Sequence, residues 1–289
     1  GYPPLDLVNN KEFLRKNKEA LTEIMAVSNG ISVIVGFVDY YEDERPSVGI
    51  RKYNAAAVIR DDKLLGIQHK LLLPEYDVFF EARYFLCGTS QKIFDINLPI
   101  GVEICEDLWD DNYDIKVTRN LREIGAKIIV NISSSPYYRE KREERMSLIK
   151  RHIEENSLPI IYVNGVGVED GYEGELVFDG QSLAFDSEGK LIGIGKQLEE
   201  DLVMVELDEE SLLGKEISLP EFNPDKEDFN ALVAAVRGYA LRNGFKKAAI
   251  GLSGGIDSSL TACIAVEALG KENVIGISRR ESATETFAP

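Results

Sequence analysis

Cysteine is scarce in this chain of 289 residues. The three present, Cys87, Cys105 and Cys263, are odd in number and widely spaced, which argues against a disulfide framework or a CxxC metal site and favours a reducing compartment. No apolar run of about 18 residues occurs and no signal-peptide pattern is seen, so neither a membrane span nor secretion is expected, and the cytoplasm is the expected location. Cations are also short: 33 Lys and Arg against 50 Asp and Glu leave a net charge of −17, which repels nucleic acid phosphates and anionic membrane surfaces. A helix N-terminus or a few cations inside a cleft can still hold a small anion such as ATP. Low-complexity segments and internal repeats are absent too. With 44% hydrophobic and 29% charged residues, the chain is long enough for two packed units.

What is present alternates. Helical spacing over Asn9 to Met25 is followed by a β-branched run over Ile31 to Val38, then by strands over Asn54 to Arg60 and Lys63 to His69 joined at Asp61-Asp62. A strand over Leu98 to Cys105, a helix over Thr118 to Gly125, a strand over Lys127 to Ile132, a charged amphipathic helix over Glu140 to Asn156 and a strand over Leu158 to Val163 read as a layered α/β unit. A hairpin about Asp186-Ser187-Glu188-Gly189 and a strand over Leu202 to Leu207 close that unit, expected to span 1–207. The acidic stretch 208–228, with Pro220 and Pro224, reads as a linker. From 229 to 289 a helix over Phe229 to Asn243, a strand over Lys246 to Leu252, a helix over Ser258 to Leu269 and a strand over Asn273 to Ser278 open a βαβ nucleotide-binding unit.

Between the strand and helix of that second unit lies Gly251-Leu252-Ser253-Gly254-Gly255-Ile256-Asp257-Ser258. Glycines there let backbone N–H groups approach a polyphosphate, and the following helix adds its positive end. No GK[ST] closes the loop, so it is not a Walker A motif. The ordinary alternative is a glycine-rich turn with Asp257 and Ser258 as helix caps. In the first unit, Gly101-Val102-Glu103-Ile104-Cys105-Glu106-Asp107 puts a cysteine at the end of an apolar strand. An inert buried cysteine is the competing reading. As a nucleophile beside Glu106 and Asp107 it would need a nearby cation, for which Lys70 is the candidate.

The loop resembles the SGGxDS pyrophosphate loop of N-type ATP pyrophosphatases. The resemblance implies that residues 251–258 bind ATP, with Ser253, Gly254, Gly255 and Ser258 on pyrophosphate oxygens and Asp257 helping to hold Mg2+. His69-Lys70-Leu71-Leu72-Leu73-Pro74-Glu75-Tyr76, Phe79 to Phe85, the Cys105 run, Asn131 to Pro136, Lys141 to Arg145 and Glu175 to Gly180 together resemble the nitrilase superfamily. The pair of motifs in one chain is similar to the glutamine-dependent NAD synthetase family. That likeness implies an α/β fold with a four-layer αββα sandwich, followed by a partial parallel-sheet domain.

It further implies that Cys105 attacks the glutamine carboxamide and Lys70 stabilises the oxyanion. Glu81 is carried over as a supporting carboxylate, and Tyr76, Glu106, Ser135 and Lys141 as glutamine contacts. The family's general-base glutamate is expected upstream of Gly1-Tyr2-Pro3-Pro4, and a further substrate-binding region is expected after Ser278, of which Arg279 to Pro289 does not read as the continuation. The implied reaction adenylates nicotinic acid adenine dinucleotide with ATP and Mg2+, then lets ammonia displace AMP. Homo-oligomerisation is the common expectation. The alternatives are a stand-alone nitrilase-type amidase with a non-functional nucleotide fold, which would ignore ATP, and a non-catalytic scaffold, indifferent to alkylation of Cys105.

Overall fold

The structure, a computed structural model, describes residues 2–42, 49–171, 174–208, 212–219 and 223–278. Pro220 of the expected linker and the tail 279–289 lie outside the described residues.

Helix α1 (Lys11–Ala26) starts where Asn10 accepts hydrogen bonds from the backbone N–H groups of Glu12 and Phe13. It lies on an antiparallel sheet of β1 (Ser32–Glu42), β2 (Ile50–Arg60) and β3 (Lys63–His69). The β2–β3 turn puts Asp61 and Asp62 at positive φ, as a two-residue hairpin of this twist requires. Period-2 alternation then divides β2. Ala55, Ala57 and Ile59 meet Leu21 of α1, whereas Ala56 and Val58 face the second sheet.

That second sheet is built from β4 (Ile93–Asp95), β5 (Pro99–Ile104), β6 (Ile128–Ser133), β7 (Ile160–Asn164), β10 (Leu183–Phe185) and β11 (Leu191–Ile194), in the order β11-β10-β7-β6-β5-β4. Its three central strands, β5, β6 and β7, run parallel. Ile100, Val102, Ile104, Ile128 and Val130 fill the space between the sheets. On the other face α2 (Val117–Glu123) and α3 (Lys141–Asn156) pack through Leu121, Met146, Ile149 and Ile153. The first unit is thus a four-layer αββα sandwich, and the carboxyl ends of β5, β6 and β7 open on one edge, where ligands of α/β folds bind.

Several readings shift. A hairpin of β8 (Val166–Asp170) and β9 (Glu175–Asp179), together with β4, was not expected. The strand expected over Leu202 to Leu207 shrinks to β12 (Glu206–Leu207), paired with β13 (Leu212–Leu213): Val203 and Val205 pack near Gly193, but Leu202 and Met204 are exposed. Helix α3 buries Lys141, Arg142 and Arg145, so it is less of a solvated charged face than its composition implies. Helix α4 (Pro224–Arg242) begins at Pro224 rather than Phe229, because Asn223 caps it and proline suits the first turn.

The second unit continues with β14 (Ala248–Leu252), α5 (Ile256–Leu269) and β15 (Val274–Ser278), the two strands being parallel. Helix α4 rests on the β8–β9 hairpin: a Cβ on Gly238 would come within 2.7 Å of Val168, and Arg242 bonds Val168 O, Asp170 and Glu175.

Candidate active site

Cys105 begins the turn after β5 with φ +48°, a left-handed value uncommon outside glycine. A cavity of about 560 Å³ opens at this point, lined among others by Tyr2, Lys70, Cys105, Ser133 and Ser134. Lys70 Nζ donates to Glu81 Oε2 at 2.7 Å with both side chains buried, and the Tyr2 hydroxyl donates to the other Glu81 oxygen. Burial pulls the Lys70 ammonium below the ordinary lysine value, against the attraction of Cys105, Asp107 and Glu106. Burial pushes the Cys105 thiol up, and Lys70 is the main influence holding it down. The resting sulfur is therefore a thiol that needs a base during reaction.

Asp107 joins the two halves of this site. Its Oδ1 accepts the backbone N–H groups of Leu71 and Leu72, each at 2.9 Å, and its Oδ2 accepts that of Ile104 at 3.0 Å. The segment carrying Lys70 is thereby tied to the strand end carrying Cys105. Burial pushes Asp107 up to about 6, against Lys70 and the three N–H donors. Asp107→Asn keeps the shape but turns one acceptor into a donor facing an N–H. We expect a loss of about 2 kcal/mol, read as a lowered Tm and urea midpoint. An unchanged midpoint would show that the three bonds carry little.

Glu106 turns the other way. Tyr76 Oη donates to its two oxygens at 3.1 and 2.9 Å, and Tyr113 Oη to Oε1 at 3.0 Å. These side chains line a second cavity of about 520 Å³ with Trp109, Glu144 and Arg151. Lys141 Nζ sits 3.6 Å from the Trp109 ring centre and donates to Tyr138 Oη at 2.9 Å and Glu144 at 3.1 Å. The expected glutamine contacts are thus distributed. Tyr76 and Glu106 line the second cavity, Lys141 stands beside it, and Cys105 and Lys70 line the first. Ser135 is held in structure: its N–H donates to Asn164, and its carbonyl accepts from Arg145, which pairs with buried Asp179 at 2.8 Å. Sequence reasoning passed over Asp107 as a positioning group, and over Trp109 and Tyr113. An aromatic pair closely following the cysteine was the available signal.

In the second unit residues 251–258 follow β14 into α5, which starts at Ile256, so Asp257 and Ser258 lie in its first turn. Gly254 has φ +88°, a backbone that only glycine adopts without strain, and a Cβ there or at Gly251 would meet nothing within 4 Å. The loop is braced from inside: Ser253 and Ser258 hydroxyls lie 3.1 Å apart, and Gly255 N–H donates to Ser253 Oγ at 3.3 Å. Among the described residues no three His, Cys, Asp or Glu side chains converge on a metal position. A cation at Asp257 would therefore take further ligands from phosphate oxygens and water, as Mg2+ commonly does.

With a thiol and a buried lysine on one edge of an αββα sandwich, the chain belongs to the carbon–nitrogen hydrolase family, whose model matches residues 9–212. Residues 228–286 match the model described as NAD synthase. The chain is 40% identical to a glutamine-dependent NAD(+) synthetase of Synechocystis sp. over 96% of its own length and 51% of the relative's. It superposes on the glutamine-dependent NAD+ synthetase of Acinetobacter baumannii, solved with ADP, with a TM-score of 0.87 and 33% identity, covering 99% of this chain and 52% of that one. A carbon–nitrogen hydrolase from Helicobacter pylori shares the fold of the first unit at 22% identity and a TM-score of 0.55, covering 67% and 69% of the two chains. The chain thus spans about half the length of the curated relatives it matches. No described helix is long and apolar enough to cross a membrane.

Proposed function

We propose that this chain supplies the glutaminase unit and the start of the ATP-using unit of a glutamine-dependent NAD synthetase, with units at 1–207 and 229–289 joined by 208–228. Lys70 and Cys105 converge on one cavity, in the same chain as an open glycine loop at the start of α5, and that convergence carries the reading.

In the first site Cys105 Sγ attacks the glutamine carboxamide carbon and passes its proton to a general base, the part a glutamate plays in the family it resembles. Lys70, held by Glu81, faces the developing oxyanion; ammonia leaves, and water then hydrolyses the thioester. Tyr76 and Tyr113 keep Glu106 directed toward the substrate's α-ammonium, and Lys141 meets its α-carboxylate. Ser135 is carried as a further contact by resemblance alone, its own partners being Asn164 and Arg145.

In the second unit the N–H groups of residues 251–258 and the hydroxyls of Ser253 and Ser258 cradle the triphosphate of ATP, and Asp257 holds Mg2+. Mg2+ held there would supply charge to offset the pyrophosphate leaving group; the carboxylate of nicotinic acid adenine dinucleotide attacks the α-phosphorus of ATP as pyrophosphate leaves, and ammonia from the first site then displaces AMP. A cytoplasmic homo-oligomer without nucleic acid partners is the accompanying expectation.

The deciding experiment measures NAD formed by the full-length protein from nicotinic acid adenine dinucleotide, ATP and Mg2+, with glutamine or with ammonia as nitrogen source. Both should support synthesis. Amide hydrolysis without NAD from either source would favour the stand-alone amidase. Trp109→Leu probes the glutamine contacts: loss of the ring beneath Lys141 should raise KM for glutamine about tenfold with little change in kcat. An unaltered KM would remove Lys141 from the recognition set.

A further inference from the structure

Glu103 is a buried acid that the reaction above does not use. It lies on β5, fully buried, and points toward α2 rather than into the apolar layer filled by its neighbours Val102 and Ile104. Thr118 Oγ1 donates to its Oε1 at 2.7 Å and Asn131 Nδ2 to its Oε2 at 3.3 Å. Among the described residues it makes no ion pair. Asn131 stands directly across from it on β6 and also aims Nδ2 at the Cys105 carbonyl, 3.4 Å away. The other end of the same amide, Oδ1, accepts the Ser133 hydroxyl at 2.6 Å. Ser133 lines the Cys105 cavity, and its hydroxyl is the neighbouring side-chain dipole that acts to lower the thiol.

An amide has one donating and one accepting end. Glu103 Oε2 and the Cys105 carbonyl both require the donating end, which leaves the accepting end for Ser133. Without Glu103 the amide could turn over and present its N–H2 to Ser133, changing what that hydroxyl offers the sulfur. If the position needed only filling, an apolar side chain would do so without burying an unpaired carboxyl. We propose that Glu103 is a positioning residue for the nucleophile, fixing the Asn131 amide and through it the carbonyl of Cys105 and the hydroxyl beside the thiol.

Charge supports the geometry. The charged groups acting on Glu103 are Asp107 and Asp110; the Lys116 ammonium and the His152 ring, which burial holds below the ordinary histidine value, lie against Asp110, 3.9 Å from it in each case. Burial, reinforced by the two acids, pushes Glu103 up to about 8, so the neutral acid is favoured at pH 7; in that form the bond to Thr118 runs the other way, Oε1–H donating to Thr118 Oγ1, and Oε2 stays the acceptor for Asn131. The folded state holds this proton more tightly than the unfolded chain. The associated stability is full at low pH and is lost as pH rises toward about 8.

The inference rests on Cys105 being the nucleophile, so its test includes an arm that needs no glutamine turnover. In the full-length protein carrying Cys87→Ser and Cys263→Ser, the rate of Cys105 alkylation by iodoacetamide is followed from neutral to alkaline pH, beside kcat and KM for glutamine. The parent should show an inflection near 8 besides that of the thiol itself. Glu103→Gln should lose that inflection while keeping kcat within about twofold at neutral pH, and Glu103→Leu should lower kcat about tenfold or more with KM little changed. A folded Glu103→Leu protein with the parent's kcat and alkylation profile would overturn the proposal. If that variant does not fold, Glu103→Gln decides, and persistence of the inflection near 8 overturns it. A parent with no glutaminase activity would refute the function while the alkylation arm still judges Glu103.

Discussion

On the proposed function, Cys105→Ala in the full-length protein should abolish glutamine-driven NAD formation, by about a thousandfold or more, and leave ammonia-driven formation near the parent rate. The asymmetry follows from where the sulfur sits. Cys105 lies on the carboxyl edge of the αββα sheet, in a cavity separate from the open loop at 251–258, and alanine leaves no atom able to form the thioester. Because the cavity keeps its shape and Lys70 keeps Glu81, the variant should still bind glutamine, which calorimetry can measure directly. Loss of both activities would mean that the two units are one catalytic device. Retention of both would remove Cys105 from the reaction.

Asp257→Asn should produce the opposite pattern, lowering NAD formation from glutamine and from ammonia alike by about a hundredfold or more, while glutamine hydrolysis without ATP persists. Asparagine keeps the size of aspartate but removes the charge that a metal needs, and Asp257 makes no capping bond to lose, so the change probes charge rather than folding. Raising Mg2+ should recover part of the rate if Asp257 binds the ion. Without such recovery Asp257 would be only an acidic residue in the first turn of α5, set against the positive end of the helix.

Much of this architecture is legible in the sequence because local chemistry and global fold agree. Asn10 caps α1, Asp61-Asp62 turns the β2–β3 hairpin, and the alternation from β5 through α2, β6 and α3 to β7 follows apolar periodicity broken by turn residues. The β8–β9 hairpin was hidden because Gly167, Glu169 and Asp170 dilute the strand signal, and what holds it is α4, distant in sequence. Pro224 reads as a breaker yet opens a helix, since only its neighbour Asn223 reveals that it stands at a first turn.

The site divides in the same way. Cys105 and the 251–258 loop announce themselves by residue type and strand-end context. Asp107 does not, because its partners are backbone N–H groups, which leave no mark on the sequence of the segment they belong to. Lys141 was expected among the glutamine contacts by resemblance alone, and what its charged helix could not show is the packing of Trp109 and Tyr138 around it.

The backbone at Cys105 carries a conflict of its own. At φ +48° glycine would sit without strain, and a residue with a side chain costs about 1 kcal/mol or more to hold there. A chain shaped by stability alone would drift toward glycine at this place and lose its sulfur. On the proposed function, this one dihedral angle is where the fold's own preference and the need for a sulfur pull apart.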